Sequence, residues 1–199
     1  MESLFAGLPM PLRIKPARPM TDEELMRFCE QHDELAVERE PNGDLTVMTP
    51  AGSGSSFRNS ELCAELRNWA QEDGRGLVFE SSAGFTLPDG SVRAAEAAWL
   101  SHRKWNALTR EQQESYAPAC PEFIVELRSK TDSLSTLQQK MEQWIANGAE
   151  LGWLVDLFEK AVHIYRPGRT PEILDKISLV SGEGPVAGFV LPLDRIFTK

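Results

Sequence analysis

Apolar positions recur along this chain in two rhythms, every second residue in some segments and every third or fourth in others, and their order lays out the elements. Thr21 and Glu24 form a capping box ahead of Leu25, Met26 and Phe28, which predicts a first helix reaching about His32. Residues 35–40 and 44–48 flank Asn42-Gly43, the dipeptide of a tight hairpin. The small residues of 49–56 read as a connection, and a second helix over 56–71 presents Leu62, Leu66 and Trp69 on one face before Gly74 and Gly76 stop it. A strand at 77–81, a hairpin at 84–90 and a long strand at 92–100 follow. The stretch 101–116 is polar and helical, with a second capping box at Thr109 and Gln112. After a strand at 121–128, Leu134, Leu137, Met141, Trp144 and Ile145 recur at helical spacing, and Asn147-Gly148 ends that helix. The last β segments are expected at 151–157 and 161–165, joined by a turn around Glu159, then near 172–177 and 188–193. Helices and strands alternate in the middle and hairpins dominate the ends. This pattern predicts a mixed α/β sheet with helices packed on it, without repeats.

Length and composition narrow the class. The chain's 199 residues, 41% apolar and 26% charged, suit one globular domain, with residues 1–20 as an N-terminal extension. A net charge of -9 excludes a broadly basic nucleic-acid-binding surface, so a polyanion would need a local patch. Cys29, Cys63 and Cys120 are odd in number and far apart, which fits reduced thiols and not a zinc site. The first residues carry Glu2 where a signal peptide would carry Lys or Arg, and Pro9 breaks their apolar run. No stretch has the length of a membrane span. A cytoplasmic protein without membrane partners is expected.

Two acids stand out against this background. Glu96 and Glu126 each lie among apolar and small residues on segments that read as strands able to run side by side. Burying either is costly unless something pairs with it, and two together suggest a shared cation. Alternation puts Glu126 on one face with Ile124 and Arg128. Lys140, one turn after Leu137 and one turn before Trp144, stands at the border of its helix's apolar face, from where its stem can carry the ammonium toward Glu126. Two carboxylates with a nearby lysine make the layout of a metal-dependent phosphodiesterase, and oxygen-only ligands favour Mg or Mn over zinc. The spacing equally admits a structural ion pair of Glu126 with Arg128 or Lys140, and Glu96 as a solvated strand edge.

Other positions read more plainly. Glu80 is either an accessory acid or a wet strand end, and Glu61 and Glu65 are a wet helix face. His32, His102 and His163 show no ligand spacing, Asp132 and Ser133 read as a helix cap, and the Gly52–Gly54 loop lacks the lysine of a phosphate-binding loop. Arg58, Arg93, Arg103, Lys104, Arg128, Lys130 and Lys140 are available to line a DNA backbone, although solvated surface charge explains most of them as well.

The run Val47-Met48-Thr49-Pro50, the helix start Arg58-Asn59-Ser60-Glu61-Leu62, the hairpin Gly84-Phe85-Thr86-Leu87-Pro88-Asp89-Gly90, the strand from Pro121 to Ser129 and Leu151-Gly152-Trp153-Leu154-Val155-Asp156 resemble the Uma-type family. That family of restriction-endonuclease-like proteins belongs to the PD-(D/E)XK nuclease superfamily and is abundant in cyanobacteria. The resemblance runs from about Thr21 to the last β segment. It implies a restriction-endonuclease-like fold, an α/β domain whose mixed central sheet is flanked by helices, with additional N- and C-terminal β-hairpins. It places the family's metal-binding acids on Glu96 and Glu126 and its migrated lysine on Lys140. Arg128 holds the usual lysine position and, with Glu80, is an accessory candidate. The family's Pro-Asp pair is Ala95-Glu96 here, which lengthens one ligand by a methylene. The function implied is a magnesium- or manganese-dependent endodeoxyribonuclease, working on DNA as a homodimer. The departure at 95–96 and the acidic charge leave a second class open, a catalytically impaired relative acting as a nucleic-acid or protein-binding module.

Overall fold

Local signals in the first part of the chain close a small antiparallel sheet. The computed structural model describes residues 10–48, 51–129 and 132–197, so the reading of the first nine residues, Thr49-Pro50 of the family-like run and Lys130 lie outside the described residues. β1 (Leu12–Ile14) lies within the stretch expected as an extension and pairs with β3. Thr21 and Glu24 form the reciprocal cap of α1 (Asp22–Gln31). Gly43, at φ 86°, turns β2 (Ala36–Arg39) into β3 (Leu45–Met48). α2 (Ser53–Asp73) starts three residues before the sequence pattern does, because its serines sit in the first turn, where they are tolerated; Gly74 ends it in the left-handed region.

β4 (Gly76–Glu80) leads into the hairpin of β5 (Phe85–Thr86) and β6 (Val92–Arg93), and β6 joins the first sheet, whose order is β1-β3-β2-β6-β5. The chain then changes sheets. What the alternation predicts as one strand over 92–100 is two, since β7 (Ala97–Ser101) belongs to a second sheet. The break has a physical cause at Ala94: its N–H donates to the Glu38 carboxylate at 3.2 Å and its carbonyl accepts from Lys140 at 2.8 Å, so side chains replace the strand ladder. Glu96 stands at this crossover and not within a strand.

The polar stretch after β7 forms two short helices, α3 (His102–Trp105) and α4 (Arg110–Gln113), and the Thr109–Gln112 capping box is made. β8 (Phe123–Arg128), α5 (Leu134–Ala146), β9 (Leu151–Asp156), β10 (Ala161–Tyr165) and β11 (Glu172–Asp175) follow. They complete a six-stranded sheet in the order β11-β10-β9-β8-β7-β4. β8 and β9 run parallel, with α5 as their crossover, and the remaining pairs are antiparallel. β12 (Leu179–Ser181), absent from the sequence reading, pairs with β13 (Val190–Pro192) in a separate small sheet. Leu62 and Leu66 of α2 and the C-terminal Val186, Phe189 and Leu191 cover one face of the large sheet, against Trp99, Phe123 and Trp153. Met141 and Trp144 of α5 cover the other, against Ile124 and Leu154. The result is the mixed α/β architecture with flanking helices that the sequence implies. Among the described residues no helix is long and apolar enough to cross a membrane.

Arg93 ties the small sheet to α5. It is 5% exposed and donates to Glu38 at 3.1 Å, to Glu40, and through Nε to Gln143 of α5 at 2.9 Å. Removing one partner of such a buried network strands the others without charge compensation. Arg93→Ala is therefore expected to lower stability by about 3 kcal/mol in urea denaturation, and a loss well under 1 kcal/mol would show that this clamp does not hold the small sheet to α5.

Candidate active site

Alternation along β8 buries Val125 and Leu127 in one core and turns Glu126 under α5, onto the face that Ile124 shares. Glu126 is 3% exposed, and its Oε1 accepts from Lys140 Nζ at 2.9 Å and from the indole N–H of Trp144 at 3.1 Å. Lys140 and Trp144 are one helical turn apart, so α5 delivers both donors to a single carboxylate. Lys140 also reaches Glu38 Oε1 at 2.8 Å and the carbonyl of Ala94 at 2.8 Å. An ammonium has three N–H donors, and this one has three acceptors. Glu38, on β2, lies 7% exposed and is the acid that the sequence reading missed.

Glu38, Ala94, Glu126 and Lys140 line a cleft of about 490 Å³, which Glu96 and Arg93 also line. No hydrogen bond or ion pair to a described residue engages the Glu96 carboxylate; only its backbone carbonyl accepts, from the Cys63 thiol at 3.4 Å. Burial, and then repulsion from Glu126, push its carboxyl up to about 7. Glu126 is raised too, by burial first, with Lys140 opposing. Burial would lower the Lys140 ammonium, but Glu126 and Glu38 more than offset that and hold it protonated, above its usual range. Two carboxylates thus share one lysine, and Glu96 beside them has no cation of its own among the described residues.

Comparison with known proteins agrees with this architecture. A family model described as "Uma2: Putative restriction endonuclease" matches residues 22–194. The chain belongs to the Uma2 family. Among solved structures it is similar to a crystal structure described as a "putative nuclease belonging to DUF820" from Anabaena variabilis ATCC 29413, with a TM-score of 0.72 and 21% identity, covering 90% of this chain and 98% of that one. At that identity the likeness speaks for the fold, which is restriction-endonuclease-like. No curated protein matches the chain.

In this Uma2 protein the structure brings Glu96, Glu126 and Lys140 into one cleft. The accessory candidates lie apart from them. Arg128, at the far end of β8, pairs with Asp156 at 2.7 Å and its guanidinium lies over the Phe158 ring. Glu80 is exposed at the end of β4, where Ser81 and Ser82 donate to it, although its charge is felt at Glu96. Of the basic residues considered for a DNA lining, Arg93 and Lys140 line the cleft, and both are tied to acids. Lys104 donates instead to the carbonyl of Cys120 at 2.7 Å, and Arg58 to that of Ile196 at 3.1 Å. Ser133 is the N-cap residue of α5 but makes no side-chain cap, and Asp132 accepts from the Ser129 N–H at 2.8 Å.

Whether a divalent metal fits can be judged from the donors. Among the described residues no three His, Cys, Asp or Glu side chains cluster around a common point. Two carboxylates lining one cleft and close enough to feel each other's charge, one of them unengaged, nevertheless suit magnesium, which takes oxygen ligands, keeps several waters and commonly binds through one or two carboxylates plus substrate phosphate. Glu96 and the free oxygen of Glu126 are the residues that would hold it.

A carboxyl whose folded pKa lies above its unfolded value contributes stability fully below the unfolded value, near 4.5, and loses it as pH rises through about 7. In metal-free protein, Glu96→Gln should therefore raise stability by on the order of 2 kcal/mol near pH 8 and bring little change near pH 5. Thermal denaturation across that range checks this, and an effect of equal size at both ends would show that Glu96 is not strained by its charge.

Proposed function

We propose that this Uma2 protein is an endonuclease that hydrolyses DNA phosphodiester bonds with magnesium or manganese held by Glu96 and Glu126. The observation that carries the reading is the unpaired Glu96 carboxylate, which lines the same cleft as Glu126 and feels its charge, together with a lysine there that stays charged. A divalent cation bound there supplies Lewis-acid polarisation of a phosphodiester and makes a bound water more acidic. The chain's own groups orient and compensate. Trp144 and Lys140 fix one Glu126 oxygen and leave the other without a hydrogen bond among the described residues. Lys140 supplies a fixed positive charge in the cleft that offsets negative charge building up on a reacting phosphate. With all three N–H groups occupied, it acts on a water or a phosphate oxygen directly only after exchanging one acceptor. A homodimer and a cytoplasmic location belong to the same proposal.

A second reading rests on the charge of the cleft. Its lining includes Asp33, Glu34, Glu38, Glu96 and Glu126 against Arg93 and Lys140, which disfavours a polyanion unless cations accompany it. A relative with impaired chemistry, serving as a binding module, fits that balance.

Manganese at a hundredfold excess over its Kd is expected to stabilise the wild type by about 2.7 kcal/mol through mass action, seen as a higher melting temperature, and Glu126→Gln should abolish both this gain and nicking of supercoiled plasmid. Stabilisation without nicking would favour the binding module, and equal stabilisation of wild type and variant would remove the metal from Glu126. Shortening the other arm probes the family departure: a ligand misplaced by about an ångström costs on the order of 100-fold in rate, so Glu96→Asp should raise magnesium-dependent nicking if the longer arm handicaps the site. Lower nicking by Glu96→Asp would mean that the backbone has adjusted to glutamate.

A further inference from the structure

We propose that Glu38 is a positioning residue of this cleft, holding Lys140 and the crossover segment that carries Glu96 in register with Glu126. It contacts neither a metal nor a substrate in this role, and its use in catalysis rests on the nuclease reading above.

The geometry is specific. One carboxylate oxygen of Glu38 accepts from Lys140 at 2.8 Å and from the Ala94 N–H at 3.2 Å, and the other accepts from Arg93 at 3.1 Å. Lys140 closes the loop by donating to the carbonyl of the same Ala94 at 2.8 Å. Both backbone groups of Ala94 are therefore held by the Glu38–Lys140 pair, and Glu96 follows two residues later. Glu38 comes from the small sheet, Lys140 from α5 and Glu126 from the large sheet, so a single acid registers three separate parts of the fold. A carboxylate serves here where an amide would not. Its acceptors face three donors, whereas the NH2 of a glutamine would turn one of those contacts into donor against donor. Loss of Glu38 also leaves Lys140 with two acceptors, freeing an N–H and lowering the barrier to movement of the ammonium. The crossover would then be pinned from one side only.

The test compares Glu38→Gln and Glu38→Asp with the wild type in three measurements: steady-state plasmid nicking, manganese affinity by calorimetry, and acylation of Lys140 by an amine-directed reagent read by mass spectrometry. Glu38→Gln is expected to lower kcat by on the order of 10- to 100-fold with KM unchanged, since a small misplacement acts on the transition state. Manganese affinity should stay within about threefold, and Lys140, otherwise protected, should acylate several-fold faster as its charge loses one of two supporting carboxylates. Glu38→Asp restores the charge with a shorter arm and should fall between the two; it carries the test if Glu38→Gln does not fold. A fall in manganese affinity as deep as that of Glu126→Gln would overturn the proposal by making Glu38 a ligand, and wild-type kcat with wild-type acylation would overturn it by making Glu38 dispensable. If the wild type does not nick DNA at all, the nuclease reading fails, and the acylation and calorimetry measurements still decide whether Glu38 positions Lys140.

Discussion

The ammonium of Lys140 is the point from which the cleft hangs. It is shared by Glu38, Glu126 and the Ala94 carbonyl, at 2.8, 2.9 and 2.8 Å, which come from the small sheet, the large sheet and the segment joining them. Such a buried cation is a poor source of net stability, because desolvation offsets most of the attraction, but its removal is costly because the acids around it lose their compensation. What it supplies is registration. The apolar cores on either side of the large sheet would pack with many small displacements of α5, and the lysine selects the one in which three acceptors meet three donors.

Registration and charge imbalance come from the same arrangement. Because α5 is the crossover between the parallel strands β8 and β9, its second turn lies over the end of β8 where Glu126 emerges, and Lys140 and Trp144 both reach that carboxylate. Arg93 is committed to Glu38 and Glu40, and Lys140 to Glu38 and Glu126, so no positive charge in the cleft is left for Glu96 among the described residues. A folded protein tolerates this by leaving Glu96 partly protonated near neutrality. The strain is placed where a cation would relieve it, as expected of a site whose binding energy is held ready in its acids.

Much of the fold was legible because its signals are local. Capping boxes at Thr21 and Thr109, the Asn42-Gly43 turn and the Leu134 to Ile145 periodicity all act within a few residues, and each element formed where its signal lies. The break between β6 and β7 was not legible, since it depends on Glu38 and Lys140 capturing the backbone of Ala94 from distant points in the chain. For the site, Glu126 and Lys140 were readable as a polar residue on an apolar strand and a cation bordering an apolar helix face. Glu38 was hidden because Glu38-Arg39-Glu40 reads as a wet strand beside a hairpin; its burial arises only when β6 and α5 close over it. Arg128 illustrates the converse, a residue correctly placed on the face of Glu126 yet paired with Asp156 one strand away, which no spacing rule within β8 reveals.

The most direct measurement is an anomalous-difference map from crystals soaked in manganese. A peak is expected between the carboxylates of Glu96 and Glu126, with Lys140 still paired to Glu38. A peak elsewhere, or none at manganese concentrations that stabilise the protein in solution, would contradict it.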